Sequence, residues 1–315
     1  MTDPNRASRQ RLDGLRSQAE QLRIRFDARR PLVDFGVHVP GGLQAGLELA
    51  TLCLGELGTV SLRSMACGAD PDWPAIQVYS DQPAAACMGC QYGGWPVQGE
   101  GFFAIGSGPV RMCRGREPVL EKFNLNSAES AGLAVLESAG LPDDAVLAAM
   151  REECGWSAAD SLAVCVAPTR SLAGCIQIVA RSLEATMHKL YELDFDLELV
   201  TSGLGLAPLP PVAADDLTAI GRTNDAILYG ARVRLWVSLD DQQIQQLGPR
   251  VPSAASPDHG RPFGEIFEAS GGDFYKLDPL LFSAAEVTMI SNHSGSVFRF
   301  GASEPEIVAR SFGLA

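Results

Sequence analysis

The alternation of apolar and polar residues along the chain predicts a mixed α/β protein built from many short elements. Short apolar runs bounded by turn residues are typical of buried strands, and apolar positions three and four apart are typical of helices. Strands are predicted at residues 32–39, 59–63, 76–79, 161–166, 197–201, 226–237, 287–290 and near 297–300. Helices are predicted at residues 43–57, 127–154 with a break at 140–142, 172–193, 262–269 and 304–312. The proline-rich stretch 203–211 is predicted to be a linker or a bounded loop.

Two stretches of the chain follow the same order of strand, loop and helix. In the first, residues 43–46 (LQAG) open the helix, and in the second, residues 172–174 (LAG) do so. This similarity hints at two related halves, although the shared residues are few.

The charge of the chain argues against nucleic acid as a partner. The 315 residues include 25 basic and 38 acidic side chains, which give a formal net charge of −13. Nucleic-acid-binding domains are typically basic. No apolar run approaches the roughly 20 residues that a membrane-spanning helix needs, so a membrane partner is not expected either.

The first 30 residues differ from the rest because they hold eight arginines against four acidic residues. A basic N-terminus invites interpretation as a targeting signal. Transit peptides avoid acidic residues, however, and this segment contains Asp13, Glu20 and Asp27. The pattern therefore favours a solvated amphipathic helix that leads into the folded domain.

The eight cysteines show no regular spacing, and Cys87 and Cys90 form a pair with redox spacing that has no second pair. A long chain of this kind is typical of free thiols in a reducing cytoplasm rather than of a disulfide scaffold. The four histidines are scattered and none belongs to a ligand-spaced pair, so no metal site is predicted.

The predicted helix 172–193 carries a row of polar side chains beside its apolar stripe. Gln177, Arg181, Glu184 and His188 are spaced four, three and four residues apart, which places them on one flank. Two interpretations are open. Arg181 and Glu184 can form an ordinary surface salt bridge worth a few tenths of a kcal/mol, and helical periodicity alone favours this. Alternatively, the row lines a site.

Two further segments are rich in turn and polar residues. Residues 104–109 (AIGSGP) can expose successive backbone N–H groups as an anion-binding nest. Residues 221–225 (GRTND) place hydrogen-bonding side chains directly before a predicted strand at 226–229. Loops at strand ends often carry function, but both segments are equally plausible as turn or capping sequences.

Taken together, five segments resemble the methenyltetrahydromethanopterin cyclohydrolase family. They are residues 88–95 (MGCQYGGW), 104–111 (AIGSGPVR), 178–184 (IVARSLE), 221–230 (GRTNDAILYG) and 273–283 (DFYKLDPLLFS). They occur in the order of the family and cover the chain from about residue 31 to the end, so the arginine-rich start is expected to lie outside the match. Val110, Met112 and Ala231 depart from the family pattern, where smaller residues or glycine are expected.

The resemblance implies an enzyme that hydrolyses 5,10-methenyltetrahydromethanopterin reversibly to the 5-formyl form, without a metal or an organic cofactor. It implies Glu184 as the general base that activates water and Arg181 as the residue that orients it. Substrate-binding residues are expected at Gln91, Tyr92, Gly106, Ser107, Gly108, Arg222, Thr223, Asn224, Asp225, Lys276 and Asp278. A non-catalytic pterin-binding paralogue and a metal-dependent amidohydrolase on a related scaffold are the alternatives.

The resemblance also implies two tightly associated α/β domains with the active-site pocket between them, and a cytoplasmic homotrimer. After a basic extension at residues 1–30, we expect the first domain to combine residues 31–99 with 222–315. The second domain is then expected at residues 100–221.

Overall fold

A computed structural model describes residues 3–272 and 276–314 of the chain, so residues 273–275 of the last family-like segment lie outside the described residues. The structure confirms the α/β class. The strands are β1 Arg25–Phe26, β2 Leu32–Asp34, β3 Thr59–Cys67, β4 Asp70–Ser80, β5 Trp95–Gly99, β6 Phe102–Ser107, β7 Gly132–Glu137, β8 Leu162–Ala167, β9 Val200–Pro208, β10 Arg232–Val237, β11 Glu286–Ser291 and β12 Val297–Gly301.

The helices alternate with these strands, and a π-helix at Ala84–Gln91 and several single 3-10 turns accompany them. The α-helices are α1 Pro4–Gly14, α2 Ala19–Leu22, α3 Leu43–Cys53, α4 Val110–Arg114, α5 Pro118–Lys122, α6 Asp144–Glu153, α7 Leu172–Val179, α8 Ser182–Glu192, α9 Asp216–Leu228, α10 Asp241–Leu247, α11 Phe263–Ala269 and α12 Pro305–Phe312. In the part of the chain that the structure describes, none of them is long and apolar enough to cross a membrane.

The chain forms two compact units. Unit 1 contains Met1–Gly58 and Ala85–Gln177, and unit 2 contains Thr59–Ala84 and Ile178–Ala315. These bounds differ from the expected boundaries after residues 99 and 221. The expected first domain joined β3 and β4 with residues 222–315, and these strands do share a sheet with β10–β12; the difference is that residues 31–58 and 85–99 belong to unit 1 and residues 178–221 belong to unit 2.

Unit 1 is built on a six-stranded sheet in the order β1-β2-β8-β7-β6-β5. Its central strands β2, β8 and β7 run parallel, and the outer pairs are antiparallel. Parallel strands are covered on both faces and are therefore apolar throughout. Accordingly, one buried cluster includes Leu49 and Val135, and a second includes Leu136 and Met150.

The N-terminal helix is part of the core of unit 1, and the expectation of a solvated extension at residues 1–30 was wrong. Asn5 and Ser8 in α1 are fully buried, and Leu12 and Leu15 belong to the buried cluster beside α3. These four residues recur at helical spacing on one face. The arginines occupy the other positions, which is why the composition of the segment suggested solvent.

Unit 2 is built on a six-stranded sheet in the order β12-β11-β10-β9-β4-β3. Only β10 and β11 pair in parallel, and the other neighbours are antiparallel. The stretch 203–211, predicted as a linker or loop, instead contributes most of β9. Residues 132–137, predicted to be helical, form β7 in unit 1. In both cases pairing with strands distant in the chain overrides the local turn or helix pattern.

Candidate active site

The long helix predicted at 172–193 is interrupted at Arg181. Helix α7 ends at Val179, and α8 begins at Ser182 with Arg181 as its N-cap residue. The Arg181 amide donates to the carbonyl of Ile178 over 2.9 Å, and the Arg181 carbonyl accepts from the Ala185 amide over 2.8 Å. The interruption therefore starts a new helix whose N-cap residue lies three positions before Glu184.

Glu184 occupies the first turn of α8, where a negative charge interacts favourably with the helix dipole. Its Oε2 atom lies 3.9 Å from Nη1 of Arg181. The side chains of Arg181 and Glu184 are only 11% and 9% exposed. The pair is therefore not the surface salt bridge that helical periodicity favoured. At 3.9 Å, the contact between Nη1 and Oε2 is too long for a bidentate ion pair.

Glycine in β9 allows α8 to approach the sheet of unit 2 at this turn. A Cβ atom on Gly203 would lie 2.6 Å from Cδ1 of Leu183, and one on Gly205 would lie 2.4 Å from Oγ of Ser182. Two residues apart on a strand, both glycines share one face. A larger residue at either position would push the first turn of α8, and Glu184 with it, away from the sheet.

The predicted polar row does not continue as a single helix face. Gln177 lies on α7 in unit 1, where its Nε2 atom is 3.5 Å from Sγ of Cys53. His188 lies on α8, and burial lowers its pKa to about 4. It is therefore neutral at pH 7, and its contact of 3.4 Å with Glu192 is not an ion pair there.

A buried lysine on α8 was missed by the sequence analysis. Lys189 is 1% exposed, and its Nζ atom donates to the carbonyl of Leu280. Burial lowers its pKa to about 8, although the charge of Asp278 acts in the opposite direction. A single lysine among the apolar positions of α8 was the available signal, and Lys189 now links α8 to the segment that follows residues 273–275.

Five of the expected substrate-binding residues come together in unit 1. Gln91 ends the π-helix and is fully buried, Tyr92 follows it, and Gly106 and Ser107 end β6. The amide of Gly108 donates to the carbonyl of Cys90 over 2.8 Å, which joins the two segments.

The predicted anion-binding nest at residues 104–109 does not form. Residues 104–107 are extended and belong to β6, with Gly106 registered between Trp95 of β5 and Leu136 of β7. A nest requires consecutive residues of curved backbone. Gly108 alone has positive φ, at 95°, and its amide is the one bonded to Cys90.

The segment 221–225 was predicted to precede a strand, but it lies inside helix α9. The side chains of Thr223 and Asn224 donate to helix carbonyls one turn earlier, at 2.9 Å each. The Arg222 guanidinium donates to the carbonyls of Pro211, Val212 and Ser311. These contacts hold α9 and its neighbours together.

Asp225 is the last of the expected substrate-binding residues on α9. It is 1% exposed and bonds to residues of two other helices. It accepts hydrogen bonds from the amide of Phe263 at 2.7 Å and from the hydroxyl of Ser311 at 2.6 Å. Burial raises the pKa of its carboxyl to about 6, although both hydrogen bonds act in the opposite direction.

Lys276 and Asp278 also lie in unit 2, where Lys276 is exposed. Asp278 caps the 3-10 turn Pro279–Leu281 by accepting from the Leu280 amide at 3.0 Å, and it accepts from the Ser256 hydroxyl at 2.6 Å. Within residues 3–272 and 276–314, no group of three or more His, Cys, Asp or Glu side chains is placed to hold a metal ion.

Comparison with known proteins decides the family. The family described as Cyclohydrolase (MCH) matches residues 4–312. The chain belongs to this family. The match begins at residue 4, so the expectation that the first 30 residues lie outside it was wrong, in agreement with the buried face of α1.

Relatives of the family are similar along most of their length. A protein of Rhodopirellula baltica named methenyltetrahydromethanopterin cyclohydrolase is 46% identical over 288 residues, which cover 90% of this chain and 86% of the relative. A protein of the same name from Methylobacterium organophilum is 44% identical, with 89% of this chain and 87% of the relative covered. One from Methanospirillum hungatei is 36% identical, with 99% of both covered.

Proposed function

We propose that this chain hydrolyses 5,10-methenyltetrahydromethanopterin to 5-formyltetrahydromethanopterin, and that the reaction is reversible. The names of the family relatives support the substrate. The observation that carries the proposal is the nearly buried carboxylate of Glu184, held in the first turn of α8 beside Arg181. A positioned carboxylate of this kind can take a proton from water.

The methenyl carbon of the substrate is a cationic, amidinium-like centre between two nitrogens. Glu184 takes one proton from water as the oxygen bonds to this carbon. The C–N10 bond of the resulting tetrahedral adduct then breaks, the hydroxyl becomes the formyl C=O, and N10 gains a proton. One proton is released for each substrate cation, so charge and atoms balance.

Arg181 is proposed to set the direction of the Glu184 carboxylate through the contact between Nη1 and Oε2. A planar guanidinium with several donors restricts a carboxylate more than an ammonium does.

Substrate binding is proposed to use the expected residues, each with chemistry suited to one part of the ligand. In unit 1, Gln91, Tyr92 and the residues 106–108 offer polar groups and glycine backbone, which permits close approach to a flat pterin. In unit 2, exposed Lys276 suits the anionic tail. The proposal includes no metal or organic cofactor, and it includes a cytoplasmic homotrimer.

Replacing Glu184 with Gln tests the proposal because the amide keeps the shape but cannot take a proton. Loss of a general base typically costs about 10²–10⁴ in rate. We expect Glu184→Gln to fold, to bind the methenyl substrate and to lose at least 100-fold in turnover, measured as loss of methenyl absorbance. Glu192→Gln is the matched control on the same helix, and it should retain the activity of the parent.

Two results would contradict this mechanism. Turnover by Glu184→Gln within about threefold of the parent, at several pH values, would assign the base elsewhere. A parent protein that binds the methenyl compound without turnover would instead support the non-catalytic paralogue. Comparison with the methenyl form of tetrahydrofolate tests whether the pterin is selected.

A further inference from the structure

The carboxyl end of the π-helix Ala84–Gln91 is held by a fully buried arginine. Nη1 of Arg111 donates to the carbonyls of Met88, Gly89 and Cys90, at 3.0, 3.2 and 3.4 Å. The last carbonyls of a helix have no partner within the helix. Arg111 supplies that partner from α4, a separate element of unit 1.

The remaining donors of Arg111 are taken by one carboxylate. Nε lies 3.1 Å from Oε1 of Glu117, and Nη2 donates to Oε2 of the same residue. The side chains of Arg111 and Glu117 are 0% and 11% exposed. Glu117 thus fixes the plane of the guanidinium in a bidentate arrangement, the geometry that arginine forms and lysine does not.

Tyr92 packs against this ion pair. Its ring centre is 5.0 Å from Cζ of Arg111. A Cβ atom on Gly94 would lie 2.6 Å from Cε1 of Tyr92 and 2.8 Å from Oε2 of Glu117, so only glycine leaves room for both. The Tyr92 amide donates to the carbonyl of Cys87 over 2.7 Å, which is the five-residue spacing of a π-helix.

A buried ion pair is costly to desolvate and is weak evidence for stabilisation, whereas π-helical turns frequently occur at functional sites. Here the ion pair contacts the ring of Tyr92 and the carbonyls of the three residues that precede Gln91, and both Gln91 and Tyr92 are in the proposed substrate-binding set. The carbonyl of Cys90 accepts from both Arg111 and the Gly108 amide. One guanidinium therefore contacts the junction of both binding segments of unit 1.

We propose that Arg111 and Glu117 are positioning residues that fix Gln91 and Tyr92 for substrate binding. This inference rests on the proposed function for its ligand, but the fixing itself is a property of unit 1. Because neither residue is assigned to the reacting atoms, their loss should raise KM and leave kcat nearly unchanged. A purely stabilising ion pair would lower the melting temperature and leave both constants unchanged well below it.

The test compares Arg111→Lys and Glu117→Gln with Arg30→Lys. Arg30 is the matched control because its guanidinium also forms a fork, with Asp27, and donates to a carbonyl, that of Pro142, without contact to the π-helix. We expect at least a tenfold rise in KM for Arg111→Lys, a smaller rise for Glu117→Gln, kcat within threefold of the parent, and no change for Arg30→Lys. Amide hydrogen exchange at residues 91 and 92 should accelerate at least tenfold in Arg111→Lys.

The outcomes separate this inference from the proposed function. Unchanged exchange at residues 91 and 92 overturns the inference, and so does faster exchange with unchanged KM. If Arg111→Lys fails to fold, the same two measurements on Glu117→Gln decide. A parent protein without turnover contradicts the proposed function, and the exchange measurement then decides whether the pair fixes the segment.

Discussion

The N-terminal helix offers a sharp test of the fold because one of its polar side chains is fully buried and bonds to two other segments of unit 1. Nδ2 of Asn5 donates to the carbonyl of Pro109 at 2.9 Å, and its Oδ1 accepts from the amide of Leu133 at 3.3 Å. Asn5 is fully buried, so water does not compete for these groups. The perturbation is Asn5→Ala, which removes both bonds.

The expected magnitude follows from the two groups left behind. A buried donor or acceptor without a partner costs about 1–3 kcal/mol. The Leu133 amide loses its Asn5 partner, whereas the Pro109 carbonyl keeps the Met112 amide at 3.0 Å and loses one ordinary hydrogen bond worth about 0.5–1.5 kcal/mol. Asn5→Ala should therefore lower the free energy of unfolding by about 1.5–4.5 kcal/mol. One kcal/mol shifts the melting temperature of a domain of 150–250 residues by about 2–4 °C.

The assay is urea denaturation followed by tryptophan fluorescence, since Trp95 is buried in unit 1. Arg6→Ala is the control in the same helix. Arg6 is 68% exposed and forms an ion pair of 2.6 Å with Glu129, and such a surface pair contributes about 0–1 kcal/mol. If Asn5→Ala destabilises the protein no more than Arg6→Ala does, α1 is not tied to unit 1 as described.

Three further predictions concern the site and its surroundings. Arg181→Lys keeps the charge but loses the planar fork, so we expect a marked fall in kcat at unchanged melting temperature; parent-like turnover would exclude orientation by the guanidinium. Burial raises the folded-state pKa of Asp225 to about 6, so folding favours the protonated carboxyl. The contribution of this group to the free energy of unfolding is therefore fully present below about pH 4 and is lost as the pH rises to 6. His188, with its pKa lowered to about 4, acts in the opposite direction over that window. Asp225→Asn should therefore gain up to about 3 kcal/mol relative to the parent between pH 4 and 6, measured by denaturation at each pH; a constant difference would refute this. Dialysis against a strong chelator should leave turnover unchanged, and loss of activity restored by zinc or iron would support the metal-dependent alternative.

The strands that the sequence predicted best are those in which a continuous apolar run indicates a buried strand without help from neighbouring residues. The run at 161–166 became β8 at Leu162–Ala167, and the run at 287–290 became the centre of β11 at Glu286–Ser291. Both are central strands whose buried residues leave little freedom for another assignment.

The failures have two physical sources. In β9, Gly203 and Gly205 read as turn residues, but they are small because α8 packs on them. In α9, the polar residues 221–225 read as a loop, but their side chains bond to helix carbonyls and to neighbouring segments. The packing of α8 on β9 joins residues that are distant in sequence. The bonds of the α9 side chains depend on side-chain geometry. Local sequence patterns encode neither.

The candidate site was predictable in its residue types but not in its local geometry. The spacing of Arg181 and Glu184 predicted an adjacent pair, which is confirmed at 3.9 Å. The same spacing assumed a continuous helix and therefore missed the new helix that begins at Ser182. Apolar periodicity continues through the break, because it records which side faces the core and not where the backbone bonds change.

The interleaving of the two units along the chain sets an order for synthesis. Strand β4 pairs with β9 through Ala75–Pro208 and the following residues, yet about 120 residues of unit 1 and α8 are translated between them. At about 5–20 residues per second, that delay is on the order of 6–25 s. During this interval the edge of β4 that will pair with β9 is unpaired on the nascent chain, and an unpaired strand edge can pair with another chain and aggregate. The speed of translation between residues 80 and 200 thus determines how long this strand edge stays unpaired during synthesis.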